Sequence, residues 1–127
     1  MYAKETNHIA IEVEPLYEET QSRPEAEQFF WTYTITLTNH GPEPIQLLSR
    51  HWIITDGQGH VEEVKGEGVV GEQPILGPGE SYTYTSGCPL ATPSGTMRGT
   101  YQMVDPKGNM FDAVIPTFYL ESKILYH

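Results

Sequence analysis

The sequence predicts an all-β fold: one antiparallel β-sandwich of about seven or eight strands. Three observations carry that reading. Apolar residues alternate with polar ones at period two in several runs, and no run sustains helical spacing. Turn-forming sequences separate these runs. Glycine and proline number 12 and 10 in 127 residues, which suits many short strands joined by tight connections.

Taken in order, residues 8–14 place Ile9, Ile11 and Val13 on one face of a strand. Residues 18–27 are polar and contain Pro24, which predicts a long surface loop. Residues 29–39 are the clearest strand. Phe29, Trp31, Tyr33, Ile35 and Leu37 point one way, and Phe30, Thr32, Thr34, Thr36 and Thr38 the other. An apolar inner face with a threonine outer face marks a half-buried antiparallel strand. Residues 45–55 are also strand-like, but the phase slips near Leu48-Ser49, which predicts a bulge or a crossing between sheets. Asp56-Gly57-Gln58-Gly59 and Asp105-Pro106-Lys107-Gly108 each read as the turn of a hairpin. The loop at residues 39–44 and the breaks at Gly77-Pro78-Gly79 and Pro93-Ser94-Gly95 complete the punctuation.

The length suits one domain, which at this size buries roughly two-thirds of its unfolded surface and needs no staples. The single cysteine, Cys88, forms no intrachain disulfide, which fits a reducing compartment. The N-terminus lacks the apolar core of a secretory signal, and no run reaches the about 18 apolar residues of a membrane span. A cytoplasmic location is expected. Seventeen acids against 7 bases give a net charge of −10, and the bases are scattered. Nucleic acid and anionic membranes are therefore poor partners.

Gly66-x-Gly68-x-x-Gly71 has the spacing of a dinucleotide-binding loop. That device needs a helix N-terminus after the glycines to hold the pyrophosphate. Here Gln73-Pro74 and Gly77-Pro78-Gly79 follow at once, which no helix survives. The expected ribose-binding acid is missing, and Glu67 and Glu72 repel phosphate. A Rossmann site is rejected. A backbone nest for an anion remains beside the plainer reading, a mobile connection whose glycines permit positive φ.

Other chemistry is thin. His8, His40, His51, His60 and His127 stand in no metal-binding spacing. Glu18-Glu19 and Glu62-Glu63 are acid pairs with at most a weak pull on Mg²⁺; the second lies in a strand, where adjacent residues face opposite ways and do not converge on one ion, and both read as solvated acids. Cys88 has no base placed by sequence and is read as a semi-buried thiol. Arg50-His51-Trp52 combines residue types common in interaction hot spots; the alternative is that Trp52 fills the core with Arg50 at its rim. The apolar tail Ile124-Leu125-Tyr126 is a candidate to cover a sheet edge or pair with another chain.

Leu76-Gly77-Pro78-Gly79-Glu80-Ser81-Tyr82 resembles the L-x-P-G-x-x-Y turn of fibronectin type III domains. The resemblance makes Leu76 a core residue, Pro78-Gly79 the turn and Tyr82 a corner residue whose hydroxyl bonds back to the backbone. Residues 49–56, 64–74, 76–79, 84–87 and 95–103 together resemble the bacterial ApaG family, motif after motif in order, over nearly the whole chain. That resemblance implies an immunoglobulin or fibronectin type III-like sandwich, with residues from about 120 to 127 as a C-terminal extension. It also implies an association with cobalt resistance and magnesium efflux, protein contacts in eukaryotic relatives, and a suggested pyrophosphate site at Gly66, Gly68 and Gly71. With no span, this chain is not itself a pump.

Two functions are expected. The first is a non-enzymatic module that captures a protein partner near Arg50, His51, Trp52 and the glycine loop. The second is a sensor that binds a nucleotide polyphosphate at the loop, with Mg²⁺ or Co²⁺ offsetting Glu67 and Glu72. No resident cofactor is required. Exposed sheet edges are compatible with a monomer or a homodimer.

Overall fold

A computed structural model describes residues 1–122. Nine strands follow in chain order: β1 (Tyr2–Thr6), β2 (Ile9–Tyr17), β3 (Phe29–Asn39), β4 (Ile45–Asp56), β5 (Val61–Glu67), β6 (Ile75–Leu76), β7 (Ser81–Leu90), β8 (Ser94–Val104) and β9 (Met110–Glu121). They form two antiparallel sheets. One has the order β1-β2-β3-β7; the other runs β5-β4-β8-β9, with the short β6 also paired to β4. Among the described residues no helix is long and apolar enough to cross a membrane.

The alternation in β3 is realised residue by residue. Its odd positions from Phe29 to Asn39 are buried and its even positions half-buried. On the outer face Thr34, Thr36 and Thr38 pair by hydroxyl with Thr85, Thr83 and Ser81 of β7, at 2.8, 3.1 and 2.8 Å. On the inner face an aromatic cluster joins the sheets. Trp52 of β4 meets Tyr33, Phe118 and Tyr101 with ring centroids 5.4, 5.9 and 6.3 Å apart, all edge to face. Edge-to-face contacts suit the ring quadrupole and add to the stabilisation from burial. Trp31 finds its polar partner at a distance, donating Nε1–H to the Glu121 carbonyl at 3.0 Å.

The phase slip in β4 is a register shift against β8 between Leu47 and Ser49. Asp56 and Asp105 each build the hairpin turn expected of them. Their carboxylates accept the backbone N–H groups of Gln58 and His60, and of Lys107 and Asn109. The polar loop at 18–27 holds two single 3₁₀ turns, Glu19–Gln21 and Pro24–Ala26. β1 was not foreseen. It joins β2 through Asn7 and His8, both at positive φ. The apolar residues Ile124, Leu125 and Tyr126 lie outside the described residues.

β9 packs on β1 and β2 and closes one side of the sandwich. On the other side β7 and β5 are edge strands of different sheets and do not pair. The candidate site sits at that open side.

Candidate functional site

β5 leaves the edge of β4 at Glu67, and β6 rejoins it at Ile75. Between them the chain makes a miniature hairpin. Val69 and Glu72 exchange both backbone hydrogen bonds at 2.8 Å. Val70 and Gly71 form its tip at φ of 42° and 82°, the pattern of a two-residue type I′ loop. Val69 is buried and anchors the hairpin to the core, while Val70 is 58 % exposed. The β4 bulge receives the hairpin. Its Leu48 carbonyl accepts the Gly68 N–H at 2.8 Å and the Gln73 Nε2–H at 2.9 Å.

Each of the three glycines has its own local reason. A Cβ on Gly66 would come within 2.7 Å of the Arg50 guanidinium. At Gly68, with φ of 63°, a Cβ would lie 2.3 Å from the Glu72 carbonyl oxygen. Gly71 needs its positive φ and meets nothing. A strand follows these glycines, not a helix, and the N–H groups of Gly68, Val69 and Glu72 are spent on carbonyls of the chain itself.

Strand alternation divides Arg50-His51-Trp52 between two faces. Arg50 lies opposite the buried Tyr101 in register and shares its inward face. Its Nη1 donates to the carbonyls of Glu67 and Gly68, both at 2.9 Å. Arg50 has no acidic partner among the described residues. No buried polar atom there lacks a hydrogen bond, so its remaining N–H groups reach solvent. His51 faces outward and pairs Nε2 with Glu63 Oε1 at 2.7 Å. That hydrogen bond, then the imidazole charge, hold the Glu63 carboxyl below its usual range. Trp52 is 3 % exposed. It fills the core, so a surface formed by all three residues does not exist; of the two readings for Trp52, the core one holds.

The Leu76-to-Tyr82 motif is realised in part. Leu76 is buried, and Glu80 N–H donates to the Gly77 carbonyl at 3.0 Å around Pro78 and Gly79, with Gly79 at φ of 81°. Those are the residue choices of a type II turn. Tyr82 packs on Tyr84, and its hydroxyl has no hydrogen-bond partner among the described residues. The corner role expected for that hydroxyl is therefore corrected. The buried hydroxyl pair is instead Tyr84 with Tyr101. Burial pushes both phenols well above their ordinary range, while Arg50 pulls weakly the other way.

Cys88 is buried on the inner face of β7, and burial pushes its thiol up to about 11. His51 faces away from it across the second sheet, so the two form no nucleophile–base pair. Among the described residues no three His, Cys, Asp or Glu side chains gather as a metal site. Sequence reasoning passed over Val70 and Gln73. The signal was available for Val70: a valine precedes glycine where a turn of this kind favours asparagine.

The ApaG domain family model matches residues 19–105, which hold Arg50, the β4 bulge and all three glycines of the hairpin. The chain belongs to the ApaG family. Protein ApaG of Afipia carboxidovorans is 57 % identical over 122 residues, covering 96 % of this chain and 94 % of the relative. Protein ApaG of Methylobacterium nodulans is 54 % identical over 121 residues, covering 95 % and 93 %. The crystal structure of a Bordetella pertussis protein described as ApaA superposes with a TM-score of 0.89 at 48 % identity, over 97 % of this chain and 98 % of that one. The ApaG family model stops short of β1, β2 and β9, yet these strands complete the same sandwich.

Proposed function

We propose that this ApaG chain is a non-enzymatic docking module that presents the hairpin at residues 68–73, braced by Arg50, to a protein partner. The exposed Val70 carries the reading. A β-branched residue at positive φ is a rare outlier, costing on the order of 1–3 kcal/mol. Held at φ of 42° and 58 % exposed, Val70 gains little from the core. Strain kept at an exposed tip is typical of contact sites. Ile75, two residues past Gln73, is a second exposed apolar side chain at 63 %, and Arg50 adds a cation at the base of the hairpin. Any connection with cobalt or magnesium handling then runs through the partner, in the cytoplasm.

The test is Val70→Asn. Asparagine tolerates the left-handed region, so the variant should unfold at higher urea, by about 0.5–1 kcal/mol. It should also lose the partner that the wild-type chain captures from its own cell extract. Undiminished capture by the stabilised variant would refute the hairpin as the contact.

The free N–H groups of Arg50 favour a second reading, a phosphate-bearing ligand at the loop. Titration with ATP and diadenosine tetraphosphate, with and without Mg²⁺, separates the two. Saturable amide shifts at Gly66, Gly68 and Gly71 select the ligand site; unchanged spectra at millimolar ligand reject it.

A further inference from the structure

We infer that β7 is a self-pairing edge, and that two copies of this chain join there into one continuous antiparallel sheet. The sheets end in β1, β7, β5 and β9, with the two-residue β6 continuing the β5 edge along β4, too short to template a partner. An edge strand presents unpaired N–H and C=O groups, which proteins guard with charge, proline, bulges or short length. Three of these edges are guarded. β1 has only 5 residues and carries Lys4 and Glu5. β5 carries Glu62, Glu63, Lys65 and Glu67. β9 carries Asp112 and Pro116, breaks register opposite Met97 and Gly99, and is packed by β1 and β2.

β7 has none of these devices from Ser81 to Cys88. That stretch holds no charge and no proline, and it pairs with β3 without a slip. In a chain of net charge −10, it is an edge where another copy can approach without like charges directly opposed.

The ladder fixes which groups are free. Asn39 N–H donates to the Glu80 carbonyl at 3.0 Å. By antiparallel alternation Tyr82, Tyr84, Ser86 and Cys88 bond to β3, and Ser81, Thr83, Thr85 and Gly87 turn N–H and C=O outward. One two-fold register uses every outward N–H. It sets Thr83 against Thr85 of the second copy and Ser81 against its Gly87, with the axis at Tyr84. Thr83 and Thr85 then form rungs of the kind that β7 already makes with β3. Pro89, with no N–H, ends the pairing. Because the contact is isologous it closes as a dimer and does not propagate.

Sedimentation velocity across a concentration series tests this, alongside amide exchange. The wild-type chain should form a dimer that strengthens with salt, because salt screens the acidic remainder. The Thr83 and Thr85 amides should exchange roughly tenfold or more slowly in the dimer than in dilute monomer. Thr85→Pro removes an outward donor and the Thr34 hydroxyl rung but leaves the backbone hydrogen bonds to β3 in place, and should give a folded monomer. Thr83→Lys combined with Thr85→Lys places lysine opposite lysine and should do the same, so the proposal stays testable if the proline variant fails to fold. A wild-type monomer at millimolar concentration in physiological salt would overturn it. So would a dimer that survives the lysine pair, or one that leaves these amides fast.

Discussion

The Arg50 guanidinium fills the space that a side chain on Gly66 would need, with its Nη1 2.7 Å from the position of an added Cβ. The two residues face each other across β4 and β5, and the same nitrogen ties down the carbonyls of Glu67 and Gly68. A methyl group at position 66 must evict a flexible side chain and its charge-assisted hydrogen bonds. Gly66→Ala should therefore cost about 1–2 kcal/mol. Arg50→Ala should cost a similar amount, and the double variant clearly less than the sum. Urea denaturation of the four proteins measures that coupling; additive losses would mean the guanidinium is not what the glycine accommodates.

Gly68 should behave differently. Its neighbour is the Glu72 carbonyl, a backbone group that cannot swing away, and its φ is positive. Gly68→Ala should destabilise by about 2–4 kcal/mol with no rescue by Arg50→Ala. Gly71 has the positive φ without the clash, so Gly71→Ala should cost only about 1 kcal/mol. Equal losses at the two positions would contradict this ordering.

The Tyr84 and Tyr101 hydroxyls satisfy each other in the core. Removing either strands the other, so Tyr84→Phe or Tyr101→Phe alone should cost about 1–3 kcal/mol, and both together little more than one. Thermal unfolding of the single and double variants checks this.

Glu63 gives a pH dependence with a definite sign. Its folded carboxyl is held low by His51, so the pair's contribution is present above the ordinary carboxylate range. It is lost as pH falls through the lowered folded value. Glu63→Gln should flatten the acid side of the stability curve and leave it unchanged near the ionisation of tyrosine. Carboxyl carbon NMR of Glu63 reads the depressed titration directly; a midpoint at the ordinary glutamate value would remove the cause.

Much of the sandwich could be read from the residues because half-buried strands carry their inner face in the sequence, as β3 does in full. β1 escaped because it is short and mostly exposed, so it shows no alternation to read. The Leu48-Ser49 slip was visible, but not its purpose, which is to offer a carbonyl to Gly68 and Gln73. Arg50, His51 and Trp52 looked like one patch because they are contiguous; alternation, which had been applied to β3, divides them. The duties of the glycines could not be read locally, since Gly66 answers to Arg50 and Gly68 to the Glu72 carbonyl. Tyr82 fits the corner pattern, but the hydroxyl bond falls to Tyr84, two residues deeper along the strand.

The threonine rungs between β3 and β7 bear on how fast the chain reaches this shape. Thr34 and Thr85 touch across a sequence separation of 51. No local turn can deliver that pairing, so loop closure must come before any reward from the contact. Sandwiches dominated by such pairings refold in about milliseconds to seconds, not microseconds. Throughout that interval the unguarded strand is exposed on both edges, which makes the refolding step, more than the finished protein, the stage most exposed to aggregation.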